Sequence, residues 1–174
     1  VPPADAVNLL DQTLHTLVDD LKVPVIVISG NHDGAVRLGF GARQLTQAGL
    51  HITGPLRGAI DPIELSDAHG PVYFYPVPYM DPATVRDVFA ADQQAQQVQS
   101  FDDAMQFVIN RIKAYHRKQH GNSRSVVIAH CFLAGGESSD SERPLSVGGA
   151  DQVNAEQFRF FNYAALGHLH QPQH

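Results

Sequence analysis

The stretch VPVIVISGNHD, residues 23–33, decides the predicted fold. Its first part, residues 23–29, is an unbroken run rich in β-branched side chains, which predicts a central strand covered on both faces. Asn31, His32 and Asp33 follow this strand directly. In open α/β sheets, ligands bind at the carboxyl ends of the strands, so the stretch predicts a polar site at that edge of a buried sheet.

Helices and strands alternate along the rest of the chain. Apolar spacings of three and four predict an amphipathic helix over residues 3–21 that packs on the sheet, and a strong helix from Phe101 to about 116–118. Weaker helical patterns cover about 35–48 and 151–158. Further strands are predicted at 51–53, 72–75, 125–129 and 160–166. Turns and loops, with weak helix in the second of them, are predicted at 54–71, 76–100 and 134–150. The order predicts an α/β domain.

Composition excludes several classes of protein. The 174 residues are 43% hydrophobic and 17% charged, which fits one packed domain and not bulk disorder. Twelve basic and eighteen acidic residues give a net charge of −6, which argues against binding nucleic acid by bulk positive charge. Cys131 is the one cysteine, and no run approaches the roughly 20 apolar residues of a membrane span. We therefore expect a cytoplasmic protein without membrane contact.

Histidine-bearing segments follow three of the predicted strands, at Asn31 and His32, at His130, and at His168 and His170. The neutral imidazole is the commonest side-chain metal ligand, and an amide oxygen suits a moderately hard divalent ion. The last two histidines, two positions apart on an extended segment, point to the same side. The pattern predicts one crevice that binds manganese, iron or zinc.

A pair of metal ions about 3.5–4 Å apart would clamp a phosphate and acidify a bound water, which needs little positive surface charge. Four donors leave such a site short of a bridging carboxylate, and no acidic residue at a strand end supplies it. Asp33 is expected to cap the following helix or to orient His32. The other histidines are interpreted singly as surface or capping residues: His15, His51, His69, His116 and His120.

Residues 30–33 (GNHD), His130 and residues 167–170 (GHLH) resemble, in order, the last three motifs of the calcineurin-like metallophosphoesterase superfamily. The segments SDSERPLSVGG, residues 139–149, and ALGHLHQPQ, residues 165–173, narrow the resemblance to SbcD-type DNA repair exonuclease subunits. The resemblance runs over nearly the whole chain. It implies a sandwich of β-sheets flanked by helices.

The resemblance also implies roles for the site residues. Asn31, His130 and His168 would bind one of two divalent metal ions, and His170 the other. His32 would contact the scissile phosphate and protonate the leaving oxygen. Manganese is the usual metal of the family, with iron or zinc as alternatives. The implied activity is exonuclease and endonuclease cleavage of DNA in repair, recombination and replication. The implied partners are an SbcC-like SMC-type ATPase, DNA and a second copy of the nuclease chain.

The sequence departs from the family pattern at its start. The first two motifs, an Asp-x-His and a Gly-Asp, are missing, and with them three expected ligands, including the bridging aspartate. Residues 1–174 are therefore expected to be a partial nuclease domain, incomplete at the N-terminus, without the C-terminal capping domain, and weak or inactive alone. Two alternatives remain open: another calcineurin-like phosphoesterase acting on nucleotides or phosphoproteins, and a non-catalytic interaction module.

Overall fold

The computed structural model describes residues 2–136 and 151–170, and the expectations for 137–150 and 171–174 lie outside these residues. The α-helices are α1 (Ala4–His15), α2 (Ala35–Leu38), α3 (Ala42–Leu45), α4 (Pro82–Val88) and α5 (Phe101–His120). A π-helical turn, Thr16–Asp20, extends α1, and 3₁₀ turns occupy Thr46–Ala48, Ala95–Gln97 and Ala155–Phe158. The strands are β1 (Val25–Ile28), β2 (Leu50–Thr53), β3 (Ile63–Asp67), β4 (Gly70–Val77), β5 (Arg124–His130), β6 (Phe132–Leu133), β7 (Gln152–Val153) and β8 (Tyr163–Gly167). The mixture of helices with parallel and antiparallel strands confirms the α/β class.

The strands form three sheets. The largest has the order β3-β4-β5-β8, in which β3 and β4 make an antiparallel hairpin and the other neighbours are parallel. β1 pairs with β2 in parallel, and β6 pairs with β7 in parallel. The backbone N–H of Tyr79, just after β4, donates to the carbonyl of Ser29, just after β1, at 2.8 Å. This bond joins the carboxyl ends of the two larger sheets.

The hydrophobic core lies between α4, α5 and the four-stranded sheet. Alternate residues of β5 are buried, and Val127 is fully covered. The α5 side chains that face the sheet recur at helical spacing and are almost fully buried: Ala104, Met105, Val108, Ile109 and Ile112. The start of α5 is fixed by a capping box, in which Ser100 and Asp103 each accept a hydrogen bond from the other's backbone N–H. The helical spacing, the capping box and the observed burial of α5 therefore agree.

The prediction for the amino-terminal elements was right about their type and wrong about their packing. The helix forms, but α1 contains no buried residue, and Leu9 is 64% exposed. β1 forms as well, yet its four residues are only half-buried, and β2 is its one partner among the described residues. The apolar patterns identified surfaces that favour burial, and the described residues do not supply enough partner surface to cover them.

Two smaller differences have local causes. The stretch read as turns contains β3 (Ile63–Asp67), whose first four residues alternate between apolar and polar, a period-two signal obscured by the flanking glycines and prolines. The helical pattern over 35–48 is interrupted before α3, because Gly41 has a φ of 74°, a left-handed conformation that ends a helix. No helix in the described part of the chain is long and apolar enough to cross a membrane.

Candidate metal centre

The carboxyl ends of β1, β5 and β8 bring the predicted ligands together. His130 is the last residue of β5 and is paired in register with Gly167, the last residue of β8. His168 follows immediately, and Asn31 lies three residues after β1. The parallel direction of β5 and β8 therefore turns two sequence-distant histidines into neighbours, as the strand-end argument predicts.

Three donor atoms converge at this edge. Nε2 of His130 lies 2.9 Å from Oδ1 of Asn31 and 3.2 Å from Nδ1 of His168. The two imidazoles are nearly perpendicular, with ring centroids 5.2 Å apart. With metal–nitrogen bonds of about 2.1 Å, adjacent ligands of one ion lie about 3.0–3.4 Å apart. The distances of Asn31 and His168 from His130 therefore fit a shared cation.

The protonation of His130 also suits metal binding. Burial, together with the nearby His168, lowers the pKa of His130 to about 4. The charge of Asp33 acts in the opposite direction, and His32 and His170 lie close enough to lower the pKa further. His130 is therefore neutral at pH 7 and offers a nitrogen lone pair without first losing a proton.

Two glycines make room for the His130 ring. A Cβ atom at Gly30 would come within 2.7 Å of Cε1 of His130, and one at Gly167 within 3.3 Å of its Nδ1. His168 adopts a φ of 113°, a region that side chains rarely occupy, and such strain is typical of functional sites. Sequence reasoning did not assign these glycines a role, although each stands beside a predicted ligand.

Asp33 does not cap the helix that follows. Its Oδ2 accepts a hydrogen bond of 2.7 Å from the backbone N–H of Gly30, which closes the turn that carries Asn31. The N-cap position of α2 is Gly34, which makes no side-chain capping bond. Of the two roles expected for Asp33, helix capping was therefore wrong, because the carboxylate is used within its own turn, and the orientation of His32 stays a prediction.

The remaining residues of the predicted site are His32 and His170. His32 and His170 are both exposed at the same edge, within electrostatic range of His130. Within residues 2–136 and 151–170, no three side chains drawn from His, Cys, Asp and Glu are grouped to hold a metal ion. The converging set instead contains one amide and two imidazoles, so the carboxylate shortage expected from the sequence persists in the fold.

Other residues around the centre differ from the sequence interpretation. The ring of Tyr79 packs edge-on against His130, with ring centroids 6.2 Å apart. None of the sequence motifs predicts this contact. The Ser29 hydroxyl donates to the Gly54 carbonyl at 2.7 Å and links the ends of β1 and β2. His116, interpreted as a surface or capping residue, is 1% exposed in the core, where helix packing and two hydrogen bonds hold its ring.

The α/β architecture, with imidazole and amide donors gathered where strands end, is that of a calcineurin-like metallophosphoesterase domain. The chain is 35% identical over 171 residues to the SbcD component of the SbcCD nuclease of Staphylococcus epidermidis, an alignment that covers 98% of the chain and 43% of that relative. This similarity confirms the resemblance to SbcD-type proteins over nearly the whole chain. It spans less than half the length of the curated relative that it matches. No protein-family model matches the sequence.

Proposed function

We propose that this chain is a partial catalytic domain of a metal-dependent nuclease that hydrolyses phosphodiester bonds in DNA end processing. The observation that carries the proposal is that Asn31 Oδ1 and His168 Nδ1 both lie within 3.2 Å of His130 Nε2 at one sheet edge. Similarity to a nuclease component over nearly the whole chain supports the same activity. A local cation site also explains how a chain of net charge −6 acts on a polyanion.

In this proposal, Asn31, His130 and His168 bind one divalent ion, and His170 binds a second. The bound metals, manganese with iron or zinc as alternatives, supply charge neutralisation of the phosphate and an acidified water. His32 is exposed beside the ligand-bearing turn, so its imidazole can reach a bound phosphate and donate a proton to the leaving oxygen. Asp33 holds that turn through the Gly30 N–H.

The missing carboxylates come, in this proposal, from a segment of a longer parent chain. β1 has one paired edge among the described residues, and an open groove of about 840 Å³ runs along β5 and β8 with Ile28 at its margin. Further strands seated there would cover apolar surface and bring acidic residues to the donor edge. Residues 1–174 alone are then weak or inactive, because the dinuclear site lacks its bridge.

Cleavage of end-labelled duplex DNA with manganese tests the proposal. The 174-residue chain and the parent carrying the preceding segment are compared, and we expect robust cleavage only from the longer protein. His130→Ala in the longer protein should abolish cleavage, whereas the matched control His69→Ala, in an exposed hairpin turn, should leave it unchanged.

Three results would contradict the proposal. Robust cleavage by the 174 residues would contradict the incomplete site. Activity of the longer protein on nucleotides or phosphopeptides but not DNA would favour a different phosphoesterase. Retained partner binding with no manganese binding would favour an interaction module.

We further propose cytoplasmic assembly with an SbcC-like SMC-type ATPase, as the relative's name implies for that protein, and with a second copy of this chain. Exposed apolar side chains support a contact between copies: Leu9 and Leu10 on α1, and Phe40, which is 89% exposed. Sedimentation of the chain tests the homodimer. Leu9→Ser with Phe40→Ser should shift the protein to monomer, while Tyr163→Ser, an exposed residue on another element, should not.

A further inference from the structure

A cavity of about 140 Å³ lies under loop 54–62, between that loop, the end of β4 and α5. None of the metal-centre residues lines it. Its inner wall is made by side chains that belong to the core, among them Tyr75, Phe89 and Ile112, which are each at most 8% exposed. The cavity is therefore a separate feature of the fold, with a rigid apolar floor and a loop as its cover.

The cavity is partly open to solvent at its rim, and its volume is close to that of a cavity known to bind a single aromatic ring. An apolar cavity of about 150 Å³ stays dry and binds benzene. The lining here is mainly aromatic and aliphatic, with Thr53, Arg57, Asp61 and Arg111 as its polar and charged residues. A single six-membered ring fits its volume and its chemistry.

Charged groups stand at the rim. Arg111 already has partners within the protein. Its Nη1 lies 3.0 Å from Oδ2 of Asp92, and its guanidinium lies 4.9 Å from the centre of the Phe89 ring. Arg57 is exposed and makes no hydrogen bond or ion pair within residues 2–136 and 151–170. Asp61 is the rim's acidic residue. A guanidinium with free donors beside an apolar cavity favours a ring that carries a carboxylate.

We propose that this cavity is a binding site for a small aromatic carboxylate, with its ring on the Tyr75 and Phe89 floor and its carboxylate at Arg57. The site is independent of the metal centre, so it neither needs the metal ions nor depends on the nuclease proposal. The covering loop begins at Gly54, whose carbonyl accepts a hydrogen bond from the Ser29 hydroxyl.

Benzoate is the probe, with toluene and benzylamine as neutral and cationic rings of similar size, and binding to the 174-residue chain is followed by amide chemical shifts. We expect saturable shifts that map to loop 54–62 and α5, with benzoate tighter than both other rings. Arg57→Gln should weaken benzoate about two- to fivefold, the range of an exposed ion pair, and leave toluene unchanged. Arg43→Gln, which removes an exposed arginine away from the cavity, should change neither.

Larger side chains that fill the cavity test whether the ligand binds there. Ala59→Leu from the loop and Val108→Leu from α5 should each weaken both rings more than tenfold, while Ala90→Leu, outside the cavity, should not. Two independent variants are used in case one of them misfolds. A dispersed amide spectrum shows that a variant is folded. No saturable binding by any ring, or shifts that map elsewhere, would overturn the site. Benzylamine binding more tightly than benzoate would overturn the assignment of an anion and point to Asp61.

Discussion

Two halves of the molecule carry the same kinds of sequence pattern and reach different degrees of burial. In the half formed by α5, β4 and β5, Ile109 and Val127 are completely covered. In the half formed by α1, β1 and β2, no residue of α1 is buried and β1 is half-buried throughout. An apolar stripe thus predicts the type of element and the face that favours burial. Whether that face is covered depends on a partner surface that the stripe does not encode.

The largest expected effect separates the two halves by stability. Ile109→Ala should lower the free energy of unfolding by about 3 kcal/mol, because it removes a fully buried side chain and leaves a cavity. Leu10→Ala on α1 should change it by less than about 0.5 kcal/mol at concentrations where the chain is monomeric, since α1 contains no buried residue. Urea denaturation measures both. Equal losses would mean that α1 is packed in solution and that the contrast between the halves is wrong.

The next effect concerns the point at which the halves meet. Gly30→Ala should push the His130 ring away, because the new Cβ would lie 2.7 Å from Cε1, and manganese-dependent cleavage by the longer protein should fall roughly 10- to 100-fold. Gly34→Ala is the matched control, since its Cβ would meet the Arg37 side chain at an ordinary 3.6 Å. Equal activity of the two variants would remove Gly30 from the geometry of the site.

A smaller effect tests why α5 is well defined. Ser100→Ala removes the side chain that accepts from the Asp103 N–H and should cost about 1 kcal/mol of unfolding free energy. α1 begins at Pro3 without a side-chain cap, so Pro3→Ala should be close to neutral in the same urea measurement. A Ser100→Ala variant as stable as the parent would show that packing alone sets the start of α5.

The smallest expected effect is the pH dependence of stability that arises from His116, in the half formed by α5, β4 and β5. Nε2 of His116 donates to the Ser123 carbonyl and Nδ1 accepts from the Tyr75 hydroxyl, so the folded state holds the neutral ring. Burial lowers the pKa of His116 below 6.5, against the raising effect of the Ser123 carbonyl, while the neighbouring His120 lowers it further. The unfolded chain then takes up this proton first. The contribution of the neutral His116 ring to stability is therefore complete above about pH 6.5 and decreases as the pH falls below it.

His116→Asn checks this assignment. Urea denaturation between pH 8 and pH 5 should give a flatter profile for His116→Asn than for the parent chain. His69→Asn, at an exposed turn, should keep the parent's profile. An unchanged slope in His116→Asn would assign the acid sensitivity to other groups.

Much of the candidate site was predictable because its ligands follow strands. GNHD after a β-branched run, His130 at the end of a second strand and GHLH after a third each have a local signal, and the parallel pairing of β5 with β8 makes the last two neighbours. For Asp33 the sequence left two roles open, helix capping and orientation of His32, since a carboxylate near a helix start serves equally as a cap. The burial of His116 was missed for a similar reason, because it depends on Tyr75, 41 residues away along the chain.

Local chemistry in the sequence was enough to determine the α/β class and to predict which donor residues follow the strands, because each depends on residue type and short spacing. The tertiary structure alone decided which apolar faces are covered, that Gly30 and Gly167 flank the His130 ring, and that a ring-sized cavity lies under loop 54–62. Those features depend on the distances between elements remote in sequence, and such distances follow from packing of the whole chain rather than from any one segment.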